Sequence, residues 1–445
     1  MRTHFVGIGG AGMSPMAVIL LQRGEAVSGS DLQATPVTAN LAALGATVHP
    51  GHRPENVHGA DKVVISSAIP ADNPEVLEAR RLGIPVLKAA GLLGRLMRDK
   101  VSLCVAGTHG KTTTTAMLAL ALREAGLDPS FVVGGVLRGL EVGGHWGAGP
   151  HFVAEADEYD RRFLELAPHV AVVTSLDADH LDVYGTMAAL EDAFAEFVAL
   201  APAGGYVVGC GDEPRVLALR DQPGLWGTFV TYGLGPGNDW QATDIAPNDI
   251  GGHDFIIGGA GGFRLRIPGR HNVTNATAVV AVAGLLGLEM DAVQRALAGF
   301  QGVHRRFEVL GDLRGGVTVV DDYAHHPAEI RATLAAARTR YPGRRLVVVH
   351  QPHTYTRTRN LLTEFAAALA KADVVVLTPV YAARERDTLG ISSADLAAAM
   401  EDAILVESLD EAAARVWDLL QPGDVLITLG AGDVNRVGRQ VMQSG

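Results

Sequence analysis

One short segment of the sequence combines glycine, lysine and hydroxyl side chains in the manner of a phosphate loop. It spans residues 107–113, reads GTHGKTT and follows an apolar run. A lysine and hydroxyl groups at a glycine turn that opens a helix suit the phosphates of ATP, with a threonine hydroxyl on Mg²⁺. The spacing is G-x-x-G-K-T, which departs from Walker A because position 105 is valine. An ordinary helix cap has similar residues, but the strand-loop-helix setting favours a phosphate loop.

Two acidic clusters follow apolar strands further along the chain. They read EADEYD over residues 155–160 and DADHLD over residues 177–182. Oxygen ligands with one imidazole suit Mg²⁺ or Mn²⁺ better than zinc. Each cluster alone is more typical of a solvated loop, yet a phosphate loop needs a metal ion, and this favours a metal site.

A second glycine-rich segment opens the chain, GIGGAG over residues 7–12, between a predicted strand and a predicted helix. This G-x-G-x-x-G pattern lets a diphosphate approach the free N–H groups of the helix N-terminus. Asp31 follows at the distance where an acidic side chain holds ribose hydroxyls. The pattern predicts a nucleotide ligand but does not distinguish a dinucleotide from a nucleotide sugar, and a tight turn would also explain it.

The last third of the chain holds arginine- and histidine-rich segments after predicted strands. In residues 304–306 and 321–327, Arg306 could neutralise a transferring phosphoryl group and Asp322 could hold a ribose. The adjacent histidines of DDYAHHP are a weak metal signal because their side chains diverge. The segments 352–359 and 381–386 offer guanidinium groups that suit a small carboxylate, although surface arginines are common.

Short β-branched runs alternate with alanine- and leucine-rich stretches from end to end, which predicts an α/β protein with parallel sheets. A strand is expected over 101–106 and a helix from Thr112 to about Ala125. Residues 238–262 are expected to form hairpins and loops. The pattern divides the chain into three domains over 1–100, 101–301 and 302–445.

Composition limits the possible classes of function. The 445 residues are 48% hydrophobic and 19% charged, which excludes disorder over most of the chain. A net charge of −12 disfavours nucleic acid and anionic membrane as partners. The two cysteines, Cys104 and Cys210, form no metal or disulfide motif, and neither a secretory leader nor a membrane span is evident. A cytoplasmic protein is expected.

The order and wording of these motifs resemble the Mur ligases, the ATP-dependent amino-acid ligases of peptidoglycan synthesis. The resemblance extends from residue 1 to about residue 433, in the strings GIGGAGMS, GTHGKTTTT, EADEYD, DADHLD, PGRHNVTNA, GVHRRFE, DDYAHHPAEI, QPHTYTRT, TPVYAARE and LGAGD. Within the family they are most similar to the branch that adds L-alanine to UDP-N-acetylmuramic acid. The resemblance implies that ATP phosphorylates the lactyl carboxylate, and that the amine of L-alanine attacks the acyl phosphate.

The resemblance also implies a three-domain architecture and a set of ligands. A Rossmann-like N-terminal domain would bind the UDP-sugar, a central P-loop-type ATPase domain would bind ATP, and a Rossmann-like C-terminal domain would receive the amino acid. ATP and Mg²⁺, or Mn²⁺, are the expected cofactors. UDP-N-acetylmuramic acid and L-alanine are the expected partners of a monomer or homodimer, with no nucleic acid and no membrane.

Each motif receives a role from the resemblance, residue by residue. The catalytic residues would be Lys111, Glu155, His180 and Arg306. ATP would be bound by Gly107, Thr108, His109, Gly110, Lys111, Thr112, Thr113, Asn272, Asn275, Arg306 and Asp322. The UDP-sugar would be bound by Gly9, Gly10, Ala11, Gly12, Met13, Ser14, Asp31 and Ser66, and the amino acid by His353, Tyr355, Arg357 and Arg384. Metal ions would be held by Thr112 and Glu155, and by His180.

One departure from the wider family concerns lysine. The sister enzymes that add later residues use a carbamoylated lysine to bridge metal ions in the central domain. Here the segment from Thr113 to Ala370 contains no lysine, so that device is absent. This fits the alanine-adding branch, or metal bridging by phosphate and acids alone.

Three other interpretations stay open from the sequence. One is the related ligase that recycles a tripeptide onto the same UDP-sugar. A nicotinamide-dependent oxidoreductase would explain residues 7–12 and Asp31 but not the phosphate loop or the acidic clusters. A non-catalytic nucleotide sensor would leave Lys111, Glu155 and His180 unexplained.

Overall fold

The described part of the chain forms three β-sheets of five, ten and six strands, each with helices between its strands. The structure, a computed structural model, describes residues 1–383 and 385–444. These residues form two compact units. The first unit comprises Met1–Thr243, Ile256–Phe263 and Thr274–Phe300, and the second comprises Asp244–Phe255, Arg264–Val273 and Gln301–Gly445. The predicted α/β class is confirmed.

The N-terminal sheet is entirely parallel. Its strands are β1 (Arg2–Val6), β2 (Ala26–Asp31), β3 (Thr47–Pro50), β4 (Lys62–Ile65) and β5 (Val86–Lys88). Its helices are α1 (Ser14–Gln22), α2 (Pro36–Ala43), α3 (Pro74–Arg81) and α4 (Ala89–Met97), with a 3₁₀ turn at Pro54–Val57. The strand order is β3-β2-β1-β4-β5, so the carboxyl end of the central strand β1 leads into the first glycine-rich loop. Ligand sites in open α/β sheets lie at this edge.

The central sheet has ten strands. They are β6 (Val101–Ala106), β7 (Ser130–Leu137), β8 (Val142–His145), β9 (His151–Glu155), β10 (Val170–Val173), β11 (Tyr206–Cys210), β12 (Thr228–Gly233), β13 (Trp240–Pro247), β14 (His253–Ile257) and β15 (Gly261–Leu265). Their order is β15-β14-β13-β12-β11-β10-β6-β9-β7-β8. Strand β6 pairs in parallel with β9 and β10, and its apolar residues are buried because both faces are covered.

Helices connect the strands of the central sheet. They are α5 (Lys111–Glu124), α6 (Leu181–Tyr184), α7 (Met187–Ala199), α8 (Pro214–Leu217), α9 (Arg270–Leu285) and α10 (Met290–Gly299), with 3₁₀ segments at Tyr159–Glu165 and Ala218–Asp221. Strand β6 and helix α5 agree with the elements expected on either side of the phosphate loop. The expected hairpin structure over 238–262 is present as the neighbouring strands β13 and β14, which both lie within that range.

The C-terminal sheet has six strands. They are β16 (Glu308–Leu313), β17 (Val317–Asp322), β18 (Leu346–His350), β19 (Val374–Leu377), β20 (Ala403–Leu405) and β21 (Val425–Leu429). Its helices are α11 (Pro327–Arg340), α12 (Tyr355–Asn360), α13 (Leu362–Leu369), α14 (Ser393–Ala398), α15 (Leu409–Leu419) and α16 (Asn435–Ser444). The order is β16-β17-β21-β18-β19-β20, and only the pairing of β16 with β17 is antiparallel.

Within the first unit, helix α1 packs closely against strand β8. An added Cβ at Gly144 would lie 2.3 Å from the carbonyl oxygen of Pro15, so only glycine allows this approach. Next to β8, the Trp146 ring lies between two cations, with Lys100 Nζ 4.4 Å and Arg23 Cζ 4.8 Å from its centre. These contacts join the N-terminal sheet to the central sheet. Among residues 1–383 and 385–444, no helix combines the length and apolar character that a membrane span requires.

Candidate functional site

The first glycine-rich loop is fixed by Asp31. The backbone N–H of Gly9 donates to Asp31 Oδ2 at 2.9 Å, and the N–H of Gln33 donates to Oδ1 at 3.2 Å. Asp31 ends β2, and the carbonyl of the preceding Ser30 accepts the N–H of Gly7 at 2.8 Å. The carboxylate predicted to hold ribose hydroxyls therefore also holds the loop together.

The other residues predicted to bind the UDP-sugar differ in their surroundings. The N–H of Ser14 donates to Gly10 O at 2.9 Å as α1 begins, while Ala11 and Gly12 are exposed. Met13 is 2% exposed and packs in the hydrophobic core. Elsewhere on the same sheet edge, Ser66 Oγ accepts the N–H of Ala68 at 3.3 Å after β4.

The phosphate loop is held against the residues that follow β10. Thr108 N–H donates to Ser175 O at 3.0 Å, and His109 N–H donates to Ser175 Oγ at 2.9 Å. Gly107 has φ +128°, and an added Cβ there would lie 2.1 Å from Thr174 Oγ1. A side chain at position 107 is therefore excluded by both conformation and space.

Lys111, the first residue of α5, turns back over the loop. Its Nζ donates to Gly107 O at 2.6 Å, to Thr108 O at 3.3 Å and to Glu158 Oε1 at 2.9 Å. Burial favours the neutral amine, but the carboxylates of Glu158 and Asp157 outweigh it and raise the pKa of Lys111. The charged ammonium is therefore favoured at the start of the helix.

Thr112 and Glu155 form a second polar pair beside the loop. Thr112 Oγ1 donates to Glu155 Oε1 at 3.1 Å, and the N–H of Gly134 donates to Glu155 Oε2 at 2.8 Å. Burial raises the pKa of Glu155, and the nearby Lys111 opposes that rise. A hydroxyl and a half-buried carboxylate thus point to one place at the carboxyl ends of β6 and β9.

A second cluster combines Asp157, Glu158 and His180. One potential ligand atom from each lies within 4.8 Å of the others. His180 Nε2 is 3.7 Å from Glu158 Oε1 and 3.8 Å from Asp179 Oδ2. His180 has φ +56°, a left-handed conformation that is uncommon outside glycine. The predicted metal residues therefore fall into two groups, Thr112 with Glu155 and His180 with other acids.

These groups fit a divalent cation by their chemistry. Carboxylate and hydroxyl oxygens with one imidazole are ligands that Mg²⁺ and Mn²⁺ accept. In addition, Glu158 Oε2 is buried and has no hydrogen-bond partner in the described part of the chain. A buried carboxylate oxygen without a donor is the kind of group that a cation satisfies.

The remaining predicted ATP residues lie in different surroundings. Asn275, on α9, contacts the phosphate loop, because an added Cβ at Gly110 would lie 2.6 Å from its Oδ1. Thr113 is buried on α5. His109 Nε2 is 3.4 Å from Asp177 Oδ2. Asn272 belongs to the second unit, where its Nδ2 donates to Pro268 O at 2.7 Å.

In the second unit, Asp322 ends β17 and is deeply buried. Its Oδ2 accepts the N–H of Phe307 at 2.8 Å, and its Oδ1 accepts the N–H of Ala324 at 2.7 Å. Burial raises the pKa of Asp322 to about 6, although Arg306 and the two N–H groups favour its charged form. Arg306 lies 3.7 Å from Glu329 Oε1 and stacks over the Tyr323 ring. Both residues thus lie at the carboxyl end of one strand.

The residues predicted to bind the amino acid gather after β18. Arg357 Nη1 and His353 Nδ1 are 3.1 Å apart, and the His353 ring stacks on Tyr381 with centres 5.7 Å apart. Tyr355 begins α12, whose N-terminus is capped by the side chain of Thr354. Arg384 lies outside the described residues.

Two functional candidates were missed from the sequence, namely Glu158 and Tyr381. Both lie inside strings that were already singled out, EADEYD and TPVYAARE. The spacing did not distinguish Glu158 from its acidic neighbours, since their side-chain directions depend on the turn at Asp160 and Arg161, where φ is +56° and +54°.

Three family models match the chain. They are the "Mur ligase family, catalytic domain" over residues 2–101, the "Mur ligase middle domain" over 105–283 and the "Mur ligase, glutamate ligase domain" over 305–432. A UDP-N-acetylmuramate–L-alanine ligase of Sorangium cellulosum is 47% identical, covering 98% of this chain and 94% of the relative.

Solved structures are similar over the whole chain. The UDP-N-acetylmuramate-alanine ligase of Thermotoga maritima has a TM-score of 0.84 at 31% identity, covering 100% of this chain and 99% of that chain. A murein peptide ligase of Psychrobacter arcticus has a TM-score of 0.79 at 25% identity, covering 100% and 98%.

Proposed function

The chain belongs to the Mur ligase family, a three-domain α/β family, and on that premise we propose that it joins L-alanine to UDP-N-acetylmuramic acid. ATP phosphorylates the lactyl carboxylate, and the amine of alanine then attacks the acyl phosphate to form the amide. ADP and phosphate are released. The reaction belongs to the synthesis of peptidoglycan.

The observation that carries this proposal is the phosphate loop, in which Lys111 contacts the buried carboxylate of Glu158 and Thr112 contacts the half-buried carboxylate of Glu155. A dinucleotide-binding oxidoreductase has no use for such a pair. The 47% identity to an alanine-adding relative over 98% of the chain supports alanine as the acceptor. Over the whole chain, the murein peptide ligase of Psychrobacter arcticus is less similar than the alanine ligase of Thermotoga maritima, with a TM-score of 0.79 against 0.84, so recycling of a tripeptide is the weaker candidate.

We assign the following roles on the nucleotide side of the reaction. Lys111 stabilises charge on the phosphoryl group as it moves, because its ammonium is held at the start of a helix. Thr112 with Glu155, and His180 in the second cluster, would hold divalent cations. A bound cation supplies neutralisation of phosphate charge and polarises the phosphoryl oxygen. Asn272, Asn275, Arg306 and Asp322 are proposed as contacts of the nucleotide.

The roles on the substrate side are proposals of the same kind. The residues from Gly9 to Ser14, with Asp31 and Ser66, hold the UDP-sugar at the carboxyl edge of the N-terminal sheet. His353, Tyr355, Arg357 and Arg384 hold the carboxylate of alanine, with Arg357 already oriented by His353. We propose three domains, with residues 1–100 binding the UDP-sugar, residues 101–301 binding ATP and residues 302–445 binding the amino acid.

Phosphate release from ATP with different acceptors tests the proposal. With UDP-N-acetylmuramic acid and Mg²⁺, we expect the fastest release with L-alanine, compared with glycine, L-serine and the tripeptide. Mass spectrometry of the product checks that an amide has formed. If the tripeptide exceeds alanine, the acceptor assignment is wrong, and if no acceptor stimulates release, the ligase assignment is wrong.

The Lys111→Ala variant separates the ligase from an oxidoreductase or a non-catalytic sensor. Since Lys111 is proposed to stabilise the transferring phosphoryl group, turnover should fall by about 10³-fold or more. If the protein were an oxidoreductase, the same substitution would leave the rate of hydride transfer unchanged.

The cytoplasmic location and the oligomeric state stay predictions. Cell fractionation tests the location, and light scattering tests the oligomeric state.

A further inference from the structure

Glu158 is fixed against Lys111 in the place where an anionic ligand of the lysine is expected. We propose that Glu158 acts as a competing anion that makes nucleotide binding depend on a divalent cation. The proposal rests on the proposed function, because it concerns the nucleotide site of the same ligase. It makes Glu158 a positioning residue, acting through Lys111 and the cation.

Lys111 has no spare donor. An ammonium has three N–H groups, and Nζ already donates to Gly107 O, Thr108 O and Glu158 Oε1. A phosphate oxygen must therefore replace one of these acceptors. Glu158 is the only charged acceptor of the three, so it competes with phosphate for the lysine.

The side chain of Glu158 is held in its position beside Lys111. Its side chain is 2% exposed. Its backbone carbonyl accepts the hydroxyl of Tyr184 and the N–H of Arg161 at 2.9 Å. The next turn passes through left-handed residues at Asp160 and Arg161, which fixes the direction of the chain. The carboxylate therefore stays beside the phosphate loop.

The charge of Glu158 is only partly balanced by this chain. Oε1 accepts from Lys111, while Oε2 is buried and has no hydrogen-bond partner among residues 1–383 and 385–444. A phosphate group that takes Lys111 from Glu158 leaves two anionic groups close together in a buried place. Like charges repel strongly where water is excluded, and a divalent cation removes that repulsion.

The neighbouring carboxylate shows the contrast. Asp157 Oδ1 accepts the N–H of Tyr159 at 2.9 Å, and Oδ2 accepts the guanidinium of Arg162. Both oxygens of Asp157 are thus satisfied locally. In the described residues, one carboxylate oxygen of Glu158 accepts no hydrogen bond. Glu158 is therefore the carboxylate of this loop whose charge a cation would neutralise.

The test is the dissociation constant of ADP, measured by calorimetry in Mg²⁺ and in EDTA. In the wild-type chain, binding should be much weaker in EDTA. In Glu158→Gln, which removes the charge but keeps the shape, binding in EDTA should tighten by about tenfold, while binding in Mg²⁺ changes by less. The ratio of the ADP dissociation constant in EDTA to that in Mg²⁺ is therefore smaller in Glu158→Gln than in the wild type.

Two variants act as controls. Glu158→Asp keeps the charge but shortens the side chain, so the metal dependence should stay near that of the wild type. Glu165→Gln makes the same charge change at an exposed position at the end of the same segment and should leave both constants unchanged. Thermal denaturation checks that each variant is folded, and Glu158→Ala replaces Glu158→Gln if the latter is not.

The outcomes separate this inference from the proposed function. If the neutral variants weaken ADP binding equally in Mg²⁺ and EDTA, Glu158 only orients Lys111 and the inference is overturned. It is also overturned if the ratio is unchanged, or if Glu158→Asp lowers the ratio as much as Glu158→Gln. Amide formation by the wild type is measured separately, so a failure of the proposed function leaves the binding result interpretable.

Discussion

Replacing Glu75 by glutamine is expected to weaken the N-terminal sheet in a pH-dependent manner. Glu75 lies in the first turn of α3 and has no exposed surface. It accepts the hydroxyl of Ser30 and the amide of Asn56, both at 2.6 Å. Two imidazoles face it, with His52 Nδ1 at 3.2 Å and His4 Nε2 at 3.6 Å. This network connects the helix to the strands beside Asp31.

The expected loss of stability follows from the pKa of Glu75. Burial alone would raise the pKa of Glu75, but the nearby imidazole of His4 and the hydrogen bonds from Ser30 and Asn56 outweigh it and lower the pKa from 4.5 to about 2. At about 1.4 kcal/mol for each pKa unit, this shift means that the charged form contributes roughly 3–4 kcal/mol to stability. Because the folded-state pKa is depressed, this contribution is present above pH 4.5 and is lost as the pH falls towards 2.

Hydrogen exchange of peptides from β1, β2 and β3 measures the effect. In Glu75→Gln at pH 7, exchange should be faster than in the wild type by roughly 150- to 900-fold, the equivalent of that free energy. At pH 3 the ratio should be much smaller, because the wild-type carboxylate has by then lost more than half of its contribution.

A control on the same helix is Glu78→Gln, which removes a carboxylate that pairs with exposed Arg81. Exchange of the three strands should then change by less than about threefold. Equal exchange in wild type and Glu75→Gln at pH 7 would refute the reasoning. A ratio that stays constant between pH 7 and pH 3 would refute the electrostatic cause.

Two further substitutions have definite expected results. Gly107→Ala should abolish ADP binding in calorimetry and lower the thermal midpoint, because the new Cβ would lie 2.1 Å from Thr174 Oγ1 at a left-handed φ, a cost of at least about 2 kcal/mol. Arg345→Met should destabilise the C-terminal sheet by about 2–4 kcal/mol in denaturant unfolding, since it leaves the buried Asp424 carboxylate without the guanidinium that lies 2.7 Å away.

Matched controls exist for both. Gly91→Ala adds a methyl group where nothing lies within 4 Å, and it should preserve binding and the midpoint. Arg338→Met breaks a half-exposed pair with Asp373 and should cost less than about 1 kcal/mol. Tight ADP binding by Gly107→Ala, or equal losses for Arg345→Met and Arg338→Met, would contradict the predictions.

Long apolar strands and the helices around them were predictable from the sequence, whereas short elements were not. The strand over 101–106 has the expected bounds, and helix α5, Lys111–Glu124, begins and ends within one residue of its expected range, because both contain clear apolar runs. Strand β3, Thr47–Pro50, and strand β16, Glu308–Leu313, were missed. Both are edge strands with polar or glycine residues, and their pairing rather than their composition makes them strands.

By itself, the sequence determined the α/β class, the family and the two glycine loops, because these depend on residue types at fixed local spacing. Only the tertiary structure decided which acid meets which polar partner. Glu155 faces Thr112 while Glu158, three residues later, faces Lys111. Likewise, Glu75 and Ser30 are 45 positions apart, yet they share a hydrogen bond in the core. Such partners are set by strand order and by the direction of each turn, which no local pattern encodes.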